Sequence, residues 1–144
     1  MSINFEAVKA DSQRYPKTAY IASVSASGTP YVSPVTFAWH GDCLLTFLAS
    51  GEAKVKNCRQ NEKVSIHFAV SEETNWDSCV IWGNATVVDD TAGRRELWDK
   101  MGYNCDLFEP GGPEADSHVF LVVKPTRARI LRNYGINGKD SWSL

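Results

Sequence analysis

Charge of one sign is nowhere concentrated in this sequence. Its 15 lysines and arginines are scattered among 17 aspartates and glutamates, for a net charge of −2. A nucleic-acid-binding domain ordinarily carries a basic stripe that displaces counterions from phosphates, so no nucleic-acid partner is expected. Long apolar runs are also missing: no segment approaches the ~20 residues needed to cross a bilayer, so no membrane partner is expected. The start, Met1 to Glu6, has neither a basic n-region nor an apolar h-region, and the expected location is cytoplasmic. Histidine is scarce; His40, His67 and His118 have no metal-ligand spacing, and no metal site is expected. The cysteines Cys43, Cys58, Cys79 and Cys105 form no CxxC pair, and a chain of 144 residues has no need of a disulfide framework. They read as reduced, partly buried thiols, with Cys105, in a polar loop, the most exposed. No local signature of a Ser–His–Asp or paired-carboxylate site is present.

What is present is a dense series of strand signals. Residues 1–144 make one domain's length. Apolar spacing over Ile3–Gln13 predicts a short amphipathic helix. Thr18–Ser25, Tyr31–Trp39 and Cys43–Ala49 read as three strands with turns at Ala26–Pro30 and His40–Asp42, an antiparallel meander. Ser50–Gln60 changes period to a helix with Ser50 as N-cap and Ala53, Val55 and Cys58 facing the core. Val64–Val70 and Cys79–Val88 are further strands, and Asp90 caps a helix over Thr91–Met101 that ends at Gly102. A long loop, Tyr103–Ser117, precedes His118–Val123 and Thr126–Arg132, two strands separated at Pro125. Strands this close together, without a helix between each pair, argue against a parallel α/β sheet. The expected fold is mainly β: a six- to seven-stranded antiparallel sheet closed into a split barrel, with two or three peripheral helices.

The segment Leu44–Lys56 carries the most chemical information. A strand passes through Ser50-Gly51 into a helix whose first backbone N–H groups lack partners, and such an end attracts phosphate. Lys54 and Lys56 stand in early turns where the helix dipole favours acids, which makes sense beside a bound anion. Glu52 is the ordinary choice for a first turn and argues the other way.

The run Tyr20–Val70 resembles the pyridoxamine 5′-phosphate oxidase-like FMN-binding split-barrel family, especially its small general-stress-protein branch. The residues that carry the resemblance are Gly28-Thr29-Pro30, Ser33-Pro34-Val35, Leu45-Thr46-Phe47, Lys54 and Gln60–Ser65. Val80-Ile81-Trp82-Gly83-Asn84-Ala85 is similar to the family's strand bearing Gly-x-Ala. The resemblance implies that Val35, Thr36 and Phe37 line the isoalloxazine ring of FMN. Phe47 and Leu48 would lie beside the ring and ribityl chain, and Lys54 would bind the phosphate. The family often has Ser and Arg where Glu52 and Ala53 stand here, which leaves Ser50 or Lys56 to compensate. The resemblance also implies a homodimer with flavin sites at the interface, where Trp82 approaches the cofactor held mainly by the partner.

Three readings follow. The first is an FMN-dependent oxidoreductase passing hydride or electrons between a reduced donor and a small acceptor. The second is a flavin-binding module for storage or sensing, without turnover. In the third the same barrel binds haem or the deazaflavin F420. The C-terminal Arg132-Asn133-Tyr134-Gly135-Ile136 lacks the Trp and Arg arrangement of pyridoxamine phosphate oxidases themselves, and Tyr134 is the aromatic available there to cover a flavin.

Overall fold

The computed structural model describes all of residues 1–144. Helix α1 (Phe5–Ser12) is capped by Asn4, whose side chain accepts from the Ala7 N–H. Strands β1 (Thr18–Val24) and β2 (Pro30–Thr36) form a hairpin in full register from Thr18↔Thr36 to Val24↔Pro30. Gly28 supplies the positive φ of +85° that its turn requires. A short β3 (Ala38–His40) and β4 (Cys43–Ala49) follow, then helix α2 (Ala53–Gln60), β5 (Lys63–Phe68) and β6 (Ser78–Val88). Helix α3 (Thr91–Leu97), capped by Asp90 through the Gly93 N–H, leads through two 3₁₀ turns to β7 (His118–Leu131) and β8 (Lys139–Ser143).

The strands pair in the order β2-β1-β5-β6-β7-β4-β3, with β8 added to β7, as one curled antiparallel sheet of the split-barrel type. The expected meander holds in part: β2 pairs with β1, and Ala38 and Trp39 at the end of the predicted second strand pair with β4, but β4 takes β7 on its other edge. The predicted strand Tyr31–Trp39 is divided at Phe37, whose N–H turns to the Lys17 carbonyl. Strand β8 carried no sequence signal, because its burial alternates only between exposed and half-buried residues. Helix α3 stops four residues before the predicted Met101, as Leu97 and Met101 turn into the second core.

Pro125 does not break β7. Strand β6 pairs with β7 along its length, whereas β4 pairs only up to Val123 and β8 only from Arg127. Pro125 thus falls where the second edge has no ladder, opposite a register shift at Trp82/Gly83. Gly83 lets the two backbones approach: a Cβ there would lie 2.5 Å from the Lys124 carbonyl oxygen and 2.9 Å from Val123 Cγ1. Gly83→Ala is expected to cost ~1–3 kcal/mol of stability by overpacking, measurable by urea denaturation.

The main core lies inside the curl and includes Ile21, Ile66, Ile81 and Leu121. A second cluster, Leu45, Phe47, Leu97, Met101, Cys105 and Phe120, packs α3 and the following loop against the other face. Cys105 belongs to that cluster and is fully buried, correcting the expectation of an exposed thiol; Cys43 is the more open one. Burial pushes the thiols of Cys58 and Cys105 up to about 11 and that of Cys79 up to about 12. A thiol reagent is expected to label Cys43 alone in the folded protein and all four cysteines in denaturant.

Candidate functional site

Where β4 ends, the chain turns through Ser50 and Gly51 into α2, and its direction is set by the start of β7. The Ser50 N–H and Oγ both donate to the Ser117 carbonyl, at 2.9 and 3.0 Å. Ser50 is therefore a brace, and the N-cap position belongs to Glu52, whose side chain makes no capping bond. The carbonyl of Glu52 accepts from Val55 and Lys56, which leaves the Ala53 and Lys54 amides without an acceptor in the chain. Two orphan donors at the positive end of a helix form a local anion-attracting field.

Beside that helix start opens a cleft of about 650 Å³. Its walls come from β2 (Pro34, Val35, Thr36), β4 (Thr46, Phe47, Leu48, Ala49) and the start of α2 (Glu52, Lys54). Tyr103, Leu107, Phe108 and His118 complete them from the long loop and β7. Most of the wall is apolar and its charge sits at the α2 end, the arrangement expected for a ligand with a flat apolar body and an anionic tail. Lys54 is only 12% exposed and its Nζ lies 3.4 Å from Glu52 Oε1, while Glu52 Oε2 is covered and has no hydrogen-bond partner.

Val35, Thr36, Phe47, Leu48 and Lys54, all expected from the sequence, meet in this cleft. Three expected residues lie elsewhere. Phe37 is packed in the main core between β2 and β3. Ser50 is the brace just described. Trp82, expected beside the cofactor of the partner subunit, lies outside this chain's own cleft, with its ring under the guanidinium of its cross-strand partner Arg127 at 4.0 Å. Lys56 is exposed on α2 and takes no part in the lining. Tyr134 sits far along the chain's other loops, stacked on Trp76 at 6.2 Å.

Sequence reading missed the loop side of the cleft. Leu107 and Phe108 are 75% and 60% exposed, unusual for such residues, and Phe108 meets Tyr103 edge to face at 5.4 Å. Burial pushes the Tyr103 hydroxyl up to about 12, so it stays protonated as a donor. His118 lies flat on Phe47 with ring centroids 4.7 Å apart and planes at 14°. Its Nδ1 is 3.0 Å from Ser117 Oγ and 3.9 Å from Glu109 Oε2, and Ser117 Oγ also bonds Glu109. The only sequence signal for these residues was the length of the loop that carries most of them.

A curled antiparallel sheet with an apolar cleft that ends at a strand-to-helix turn bearing Lys54 and Glu52 defines a protein of the split-barrel class. The family model for pyridoxamine 5′-phosphate oxidase matches residues 6–132, and the chain belongs to that family. A Rhizobium meliloti protein of uncharacterised role, RA0666, is 31% identical over 108 residues, covering 66% of this chain and 71% of its own. A Clostridium acetobutylicum protein related to general stress protein 26 superposes with a TM-score of 0.77 at 14% identity, covering 99% of this chain and 97% of that one. An FMN-binding, pyridoxamine 5′-phosphate oxidase-related protein from Nostoc punctiforme gives 0.67 at 16% identity, covering 98% and 91%. The fold is shared with an F420 reductase (0.59 at 25% identity; 80% and 90% covered) and a haem-binding protein from Mycobacterium smegmatis (0.73 at 16%; 98% and 58% covered). At 14–16% identity the likeness establishes the architecture alone.

Proposed function

We propose that the protein binds FMN in the cleft between β2, β4 and the 103–118 segment and works as an FMN-dependent oxidoreductase on a small substrate. The observation that carries this reading is the placement of Lys54 and two unpaired helix amides at the charged end of an otherwise apolar cleft. The residues present fit the group. Val35, Thr36 and Leu48 offer a flat wall for the ring, and Lys54 with the Ala53 and Lys54 amides offers donors to the phosphate. FMN supplies the hydride or electron transfer, while the chain supplies position, electrostatics and exclusion of water.

The same reading includes a homodimer. On the outward face of the β1–β2 hairpin, Tyr20 and Val32 are exposed apolar side chains, and Pro34 continues that face to the cleft rim. A second copy on this face would adjoin the flavin, and light scattering is expected to give twice the chain mass.

The test is an absorbance spectrum of the purified protein, followed by titration with FMN. Flavin bands and quenched flavin fluorescence are the expected result. A colourless protein that does not quench FMN fluorescence overturns the reading, and a Soret band or a deazaflavin spectrum reassigns the cleft to haem or F420. Reduction of bound FMN by NADH or NADPH, with rapid reoxidation by an added acceptor, separates an oxidoreductase from a storage module.

A further inference from the structure

Resting on that reading, the charge count at the α2 end of the cleft raises a difficulty. Lys54 is the only lysine or arginine in the lining, and Glu52 already lies 3.4 Å from it. The pair is close to neutral, and Glu52 Oε2, buried with no hydrogen-bond partner, keeps a carboxylate oxygen at this end that disfavours a second anion. Two orphan amides are a modest counterweight to a phosphate dianion. A further cation at this end would offset that charge.

His118 stands in the right place. It is the cross-strand partner of Ala49, the residue before Ser50, and Ser117 is tied to Ser50 by two hydrogen bonds. The imidazole therefore sits at the same end of the cleft as the Ser50–Lys54 turn. Its ring is held flat on Phe47, and its Nδ1 faces Ser117 Oγ and, behind it, Glu109. Because Ser117 Oγ donates to Glu109, it accepts from His118 Nδ1–H, and the Glu109 carboxylate lies behind that bond on the side away from the cleft. Nε2 makes no hydrogen bond within the chain and is free to donate into the cleft. The titratable or charged groups around it are Glu109 from the loop, Glu52 and Lys54 from the α2 start, and Tyr103, which stays neutral.

We propose that His118 is the second cation of the phosphate subsite and that Glu52 is its built-in competitor, so His118 adds to the grip on the FMN phosphate in mildly acidic solution and adds nothing in mildly alkaline solution. Glu109 and Ser117 are positioning residues that act through His118.

The experiment measures dissociation constants for FMN and for riboflavin, which lacks the phosphate, by fluorescence quenching at about pH 6 and about pH 8, either side of the ordinary imidazole range. His118→Gln is expected to weaken FMN binding roughly tenfold at the lower pH, the size of one charge-assisted hydrogen bond, and to leave it unchanged at the higher pH. Comparing variant with wild type at each pH cancels the titration of the phosphate itself. Riboflavin binding is expected to be the same in both proteins, which also shows that the variant is folded. Glu52→Gln is expected to tighten FMN at both pH values without changing riboflavin. The inference is overturned if His118→Gln loses FMN equally at both pH values, or loses riboflavin equally, since His118 would then be only part of the wall. Tight FMN binding that neither substitution alters overturns it too and leaves the function reading standing. A wild type that binds neither flavin overturns both.

Discussion

Asp77→Ala is expected to lower folding stability by about 3 kcal/mol, the low end of the range for removing one partner of a buried ion pair. Asp77 is nearly covered, and three groups depend on it. Its Oδ2 accepts from Arg14 at 3.1 Å and Arg132 at 3.3 Å, and its Oδ1 accepts from the Asn133 N–H at 2.8 Å. Asp11, also buried, takes bonds from the same two arginines at 2.8 and 2.7 Å. The cluster ties α1, the segment before β6 and the end of β7 together, so its loss is felt across the fold. The low end is chosen because the arginines are 37% and 31% exposed and water can partly replace the lost carboxylate.

The pH dependence of that loss has a definite sign. Burial by itself would push the Asp77 carboxyl up, but the Asn133 N–H and the two guanidiniums outweigh it and hold it below the usual carboxylate range. A depressed folded-state value means that the stabilisation is complete above the unfolded carboxylate's value, about 4, and fades as pH falls through the folded one. Urea denaturation of wild type and variant is therefore expected to show the full difference at neutral pH and a shrinking one in acid. A difference independent of pH down to strong acid would show that the carboxylate charge is not what stabilises this corner.

Lys54→Ala is expected to weaken FMN binding by ~1.5–3 kcal/mol, some ten- to a hundredfold, the range for losing a charged hydrogen bond. The substitution removes the one lysine in the cleft and leaves Glu52 facing the phosphate without its partner, so the upper half of that range is expected. Riboflavin affinity should hardly move, because the proposed binding mode sets the ring against the β2 and β4 walls and only the phosphate at the α2 start. Fluorescence titration of both flavins checks this. Equal affinity of variant and wild type for FMN would place the phosphate at another point of the cleft.

Much of this was legible along the chain. The strand Cys43–Ala49 falls on the observed bounds, because a short apolar run between flanking turns is a local signal. The hairpin around Gly28 and the cap at Asp90 were legible for the same reason. Lys54 stood out because a lysine in the first turn of a helix opposes the dipole, and the structure brings it to the cleft. Pairing was less legible. β7 holds β6 on one edge and β4 then β8 on the other, and nothing local to its sequence distinguishes that strand from two separated at Pro125. Cys105 looked exposed because its neighbours are polar, yet the loop folds it beneath Phe120 and Met101.

The strand-to-helix turn at residues 50–54 divides in the same way. By itself the sequence determined that this turn holds a lysine and unpaired amides, since both follow from the order of residues and the geometry of any helix start. Only the tertiary structure decided that Ser50 is spent on Ser117, that Glu52 already occupies Lys54, and that His118 arrives beside them from 64 positions on. Those facts depend on which strand lies next to β4, and strand order is set by burial of the whole sheet rather than by any one segment. The lysine and the unpaired amides are thus written locally, while what surrounds them is settled by contacts far apart in the chain.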